Sequence, residues 1–170
     1  MKKVLFSIGA ASLIFTAACS EEKAENTEPE QEAISQTDVK SALMDFQMKL
    51  TNTINKQDAA LYSFDALVAK EEEPPTQEEV DEAKKHATET SVKIAESVKD
   101  LKIPSDLKPF NEELTEVVTE LSTAYKEWGT LGEENDHPKY TEHFENAQAS
   151  LTEIYEQVEL EPADLATEVK

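Results

Sequence analysis

The stretch "FNEELTEVVTELSTAYKEWGTL", Phe110 to Leu131, carries apolar residues at Phe110, Leu114, Val117, Leu121, Ala124, Trp128 and Leu131. The gaps alternate between four and three residues, so these side chains share one stripe of an α-helix, whereas a strand would need alternation every second residue. Between them stand Asn, Glu, Thr and Lys. The segment therefore predicts an amphipathic helix with a narrow apolar seam, and such a seam is stable only when other helices cover it.

Working outward, the same period recurs on both sides. Upstream, "KIPSD" (Lys102 to Asp106) breaks the chain, with Ser105 or Asp106 as the cap of the quoted helix and Pro109 early enough to be tolerated. Before it, Thr76 and Glu79 form a capping-box pair that opens a helix with stripe Val80, Ala83, Ala87, Ile94, Val98 and Leu101. Earlier still, Val39, Leu43, Phe46, Leu50, Ile54, Leu61, Phe64 and Val68 mark a first helix, with the polar Gln57 in its stripe and "EEEPPT" ending it. Read as one piece it is about 33 residues, or about 50 Å, long. Downstream, "GTLGEENDHP" is a loop, and Asp136 caps a helix with stripe Tyr140, Phe144, Ala147, Leu151, Ile154 and Val158.

No stretch alternates with period two. The expected fold is all-α, an antiparallel up-down-up-down four-helix bundle of long amphipathic helices over residues 37–159, with residues 160–170 a frayed acidic tail. A three-helix bundle with an extended first helix is the alternative.

Residues 1–18 read differently. Lys2 and Lys3 precede the apolar run "VLFSIGAASLIF", and the small residues Ala17 and Ala18 lead to Cys19, the one cysteine of the chain. Twelve apolar or small residues fall short of the about 20 needed to span a bilayer, so the segment reads as an export signal. A lone cysteine forms no internal disulfide. "TAAC", Thr16 to Cys19, resembles the lipobox of bacterial lipoproteins, with Thr16 where that family most often carries Leu. The resemblance implies cleavage before Cys19, a diacylglycerol on its sulfur and an acylated amino terminus, and two acyl chains make a stable anchor where one does not. Residues 19–36 then form an acidic tether, with six Glu in "SEEKAENTEPEQEAISQ" and little apolar surface to order it. As a whole the chain looks like the small helical lipoproteins of Gram-positive bacteria, which implies the extracytoplasmic face of the cell membrane as its place.

Composition narrows the partners. The chain of 170 residues has formal charge −21, sixteen lysines and no arginine. Nucleic acid is excluded as a partner, because phosphate recognition needs basic clusters and forked guanidinium donors. Anionic headgroups repel the folded part, so the membrane is met through the lipid alone. Cations, a basic surface protein or a cell-wall component remain.

Catalytic chemistry is sparse. No Gly-x-Ser-x-Gly occurs in the mature part, and the glycines are too few for a phosphate loop. No enzymatic activity and no cofactor are expected. The metal candidates are His86, His137 and His143. His86 stands with Glu82 and Glu89 at helical spacing and His143 beside Glu142, but neither of these two completes a Glu-x-x-His, since Ala83 and Tyr140 occupy the required positions. The remaining candidate is an aromatic tip, Trp128, Tyr125, Tyr140 and Phe144, where helix ends converge on the far side from the anchor. These readings predict a membrane-anchored, non-catalytic binding or scaffold module, with a ligand or divalent-metal carrier as the alternative.

Overall fold

A computed structural model describes residues 35–130, 138–162 and 164–169 of the chain. All its regular elements are helical, and no strand occurs among the described residues. The signal segment, Cys19, most of the tether and Asp136 lie outside them. No described helix is long and apolar enough to cross a membrane.

The predicted first helix is two helices, α1 (Gln36–Asn55) and α2 (Ala59–Val68). Gln57 is the cause. In an unbroken helix its backbone N–H would donate to the Thr53 carbonyl. Here that N–H donates to the Ile54 carbonyl at 2.9 Å, and the Gln57 side chain takes the Thr53 carbonyl at 3.0 Å and Ser97 Oγ at 3.2 Å. An amide placed in the apolar stripe thus satisfies itself by displacing its own backbone from the ladder. The apolar period continues across the turn, because Ile54, Leu61 and Phe64 are all buried.

Helix α3 (Gln77–Lys99) starts with the capping box, Thr76 N–H donating to Glu79 Oε2 at 2.8 Å and Glu79 N–H to Thr76 Oγ1 at 3.3 Å. It packs against α1, α2 and α4 (Asn111–Trp128). Its Ala87, Ile94, Ala95 and Val98 are buried, and between them Ser91 is fully buried too. Ser91 faces Gly129, where a Cβ would lie 2.8 Å from Ser91 Oγ, so α3 and the end of α4 approach through two small residues. Ser122 Oγ of α4 donates to the Ala95 carbonyl at 2.9 Å across the same contact.

The start of α4 departs from the expected cap. Residues Ser105–Phe110 form a 3₁₀ turn, and Phe110, with no side chain able to accept, occupies the cap position. Pro109 has no N–H and disfavours helical backbone at the residue before it, so the regular helix waits until Asn111. Leu107, off helical geometry at φ −98° and ψ 15°, is fully buried and pins the turn. Beyond it Leu114, Val117, Leu121, Ala124 and Trp128 are buried as the heptad spacing predicts, joined by Val118 and Tyr125. That wider face matches the position of α4, packed on α3 and on α5 (Pro138–Gln157).

Ala147, Leu151, Ile154 and Tyr155 bury the inner face of α5. The helix closes in a Schellman motif: the Leu160 N–H donates to the Tyr155 carbonyl at 2.9 Å, the Glu159 N–H to the Glu156 carbonyl at 3.1 Å. Glu159 has φ 57°, a left-handed conformation that glycine usually supplies. The motif turns the chain back, and the C-terminal segment is folded, not frayed. Asp164 accepts from the N–H groups of Ala166 and Thr167 and caps a short helix, α6 (Leu165–Glu168), while Leu165 and Val169 are buried. Gln47 Nε2 donates to Glu168 Oε2 at 2.8 Å, Asn55 Nδ2 to the Glu168 carbonyl at 2.7 Å, and the Leu165 N–H to Gln148 Oε1 at 2.7 Å. Two buried apolar residues four apart, a cap and these three hydrogen bonds hold the segment, despite its acidity.

Candidate functional site

The aromatic residues singled out in the sequence do converge, two of the four as core. Trp128 and Tyr125 are only 3% and 1% exposed, and Tyr140 and Phe144 are half-buried. Phe64 meets Trp128 edge-on with centroids 5.9 Å apart, Tyr125 meets Tyr140 edge-on at 5.6 Å, and Tyr140 leans on Phe144 at 5.6 Å. These contacts join α2, α4 and α5. An exposed aromatic tip is therefore replaced by an aromatic wall, and what it encloses is the site.

That wall bounds a cavity of about 260 Å³ lined by Asp58, Leu61, Tyr62, Asp65, Tyr125, Trp128, Tyr140 and Thr141. Asp58, Tyr62 and Asp65 come from α2 and the turn before it, at spacing four and three, so one helix face presents two carboxylates around a phenol. Asp58 occupies the N-cap position of α2, yet its side chain makes no capping hydrogen bond. It is only 5% exposed, and its Oδ2 is buried with no hydrogen-bond partner. Carboxylates are rarely withdrawn from water unless paired, because the charge loses its hydration.

The electrostatics follow from that burial. Desolvation raises the Asp58 pKa above the ordinary carboxylate value, partly offset by its own backbone N–H. Burial raises Tyr62, and the charges of Asp58 and Asp65 push it the same way. A hydrogen bond joins the Tyr125 and Tyr140 hydroxyls; burial lifts Tyr125 far out of the titratable range, and Tyr140 is pushed up to about 12, chiefly by burial. Every tyrosine here stays a neutral phenol at physiological pH, so the carboxylates supply the only negative charge on the wall.

No family model, curated protein or solved structure matches this chain.

The histidines are dispersed. His86 is exposed on α3, as are Glu82 and Glu89. His143 Nδ1 lies 2.7 Å from Glu120 Oε2, tying α5 to α4, while Glu142 points to solvent and His137 lies outside the described residues. Among the described residues no three His, Cys, Asp or Glu side chains are close enough to hold a metal ion. Sequence reasoning found the aromatic wall and missed Asp58, Tyr62 and Asp65. Their signal was the i, i+4, i+7 spacing of polar groups directly after Gln57.

A second depression, an open groove of about 750 Å³, runs between α1 and the C-terminal segment past Met44, Met48, Thr51, Tyr155 and Glu168. Met44 and Met48 are 51% and 56% exposed there, and Gln47 Oε1 is buried without a partner at its floor.

Proposed function

We propose that this protein is a non-catalytic binding module anchored by lipid on Cys19 to the extracytoplasmic face of the cell membrane, and that the cavity lined by Asp58, Tyr125, Trp128 and Tyr140 is its binding site. The observation that carries the site is Asp58, a buried carboxylate oxygen left without a partner in an aromatic-walled cavity. The anchor rests on the lipobox-like Thr16–Cys19 segment. The helices are proposed to run alternately up and down, a reading supported by the successive packing of α2 on α3, α3 on α4 and α4 on α5. In that arrangement the cavity lies where α2 begins, α4 ends and α5 begins, and its partner is a surface protein, a cell-wall component or a diffusing ligand.

Carriage of a small ligand, instead of docking of a macromolecule, is the second reading, favoured by the modest volume of the cavity. Intact mass of the protein purified from the membrane fraction of its own host tests both. The expected mass is that of a chain starting at Cys19 with acyl groups, and a small molecule retained under native conditions selects the carrier reading. A soluble, unacylated chain overturns the anchor.

A further inference from the structure

We infer that the cavity between α2, α4 and α5 takes an organic ammonium group, primary or quaternary, held by Asp58 and Asp65 and surrounded by Tyr62, Tyr125, Trp128 and Tyr140. The inference rests on the reading of that cavity as the binding site and specifies its ligand class.

Charge comes first. Asp58 is 5% exposed with an unpartnered oxygen, and Asp65 lines the same space. An anion entering here meets two carboxylates inside a chain of formal charge −21. A neutral molecule leaves the buried charge uncompensated. A cation supplies the missing counter-charge, and at reduced dielectric its attraction acts over several ångströms without direct contact.

The walls then choose among cations. A divalent metal demands several oxygen ligands in its coordination shell, and no such group of side chains forms here. Indole and phenol rings are poor ligands for a hydrated metal ion, but their electron-rich faces attract ammonium groups, most strongly when water is displaced, and cages of Trp and Tyr beside a carboxylate are how proteins hold methylated amines. The volume agrees. About 260 Å³ is on the order of eight or nine water volumes, room for an ammonium carrying a few methyl or methylene groups.

Trp128 is the one tryptophan of the chain and lines the cavity, so its emission reports on occupancy. The full-length lipidated protein in maltoside micelles is titrated with tetramethylammonium chloride and with n-butylammonium chloride, against sodium chloride at equal ionic strength and against the neutral isostere 3,3-dimethylbutan-1-ol. The expected result is a saturable change in Trp128 emission with at least one ammonium salt, absent with sodium, and at least tenfold weaker for the neutral isostere. Asp58→Asn weakens ammonium binding at least tenfold. Tyr62→Leu, at a position 44% exposed and therefore harmless to folding, weakens it about threefold. His86→Ala leaves it unchanged. Circular dichroism of each variant establishes that helix content is retained. Equal affinity for the neutral isostere would overturn the ammonium inference while leaving the cavity a binding site. Absence of any saturable response overturns both the inference and the reading beneath it.

Discussion

Replacing Glu159 with glycine should stabilise the protein. The residue sits at the left-handed position of the Schellman motif that ends α5, with φ 57°, where the Cβ of an L-residue crowds the neighbouring carbonyl. That conformation costs a non-glycine residue about 1–2 kcal/mol. Glycine removes the cost but adds backbone freedom to the unfolded chain, worth about 0.5–1 kcal/mol in the opposite direction. The balance favours the variant by roughly 0.5–1 kcal/mol, and removal of a negative charge beside the negative end of the α5 dipole adds a few tenths. In a chain of this size that is a rise in Tm of about 1–4 °C. Thermal and urea unfolding of Glu159→Gly and Glu159→Gln separate the contributions, because Gln removes the charge and keeps the strained backbone. Most of the gain should appear only with Gly, and Glu159→Val should be less stable than the parent, its branched Cβ being worst suited to positive φ. A Gly variant no more stable than the Gln variant would refute the reasoning and place the strain elsewhere.

Other perturbations have equally definite outcomes. Thr76→Ala removes the capping-box acceptor at the start of α3 and should cost about 1 kcal/mol in urea unfolding. Hydrogen bonds from Thr76 hold Glu79 below its ordinary pKa, so the box contributes stability above that ordinary value, and the contribution is lost as pH falls through the folded-state value; the stability difference between parent and Thr76→Ala should shrink on acidification. Asp58 behaves oppositely: burial raises its pKa, so folding is favoured below the unfolded value and that advantage disappears as pH rises through the folded one. Asp58→Asn should therefore gain stability relative to the parent between acid and neutral pH, as read by Tm against pH without ligand. Leu165→Ala, at a fully buried residue, should cost about 2–3 kcal/mol, where a frayed tail would register nothing. Gly129→Ala forces a Cβ to within 2.8 Å of the buried Ser91 Oγ and should cost about 1–2 kcal/mol, recovered in part by Ser91→Gly in the same chain.

The stripes of α3, α4 and α5 were legible because each repeats an apolar residue every three or four positions over several turns. Two features were hidden for specific physical reasons. Periodicity reports which face is apolar and is blind to competition for backbone carbonyls, so it runs unbroken from Ile54 to Leu61 although the Gln57 side chain interrupts the helix between them. The C-terminal segment reads as a solvent-exposed tail because it is short, carries a proline and three acidic residues, and repeats no apolar spacing; its attachment depends on Leu165 and Val169 joining the core and on hydrogen bonds to Gln47, Asn55 and Gln148, all distant in sequence. In the candidate site the same division holds. Tyr125, Trp128 and Tyr140 announce themselves by size and spacing, whereas burial of Asp58 is a tertiary property that composition does not carry.

The break at Gln57 and the isolation of Asp58 belong to one device. A helix continuing through residues 56–58 would give Asp58 mid-helix backbone and leave no helix start beside it. Because the ladder stops at Asn55 and resumes at Ala59, Asp58 stands at the positive end of the α2 dipole, where a carboxylate is favoured. Its side chain nevertheless makes no capping bond, so that favourable field is available without the oxygen being consumed. The field lowers the cost of keeping the charge, but burial is the larger effect and raises its pKa. A carboxylate tuned this way is poised between neutralisation by a proton and compensation by a cation. The aromatic wall of Tyr62, Tyr125, Trp128 and Tyr140 favours the second whenever an ammonium group of the right size is present.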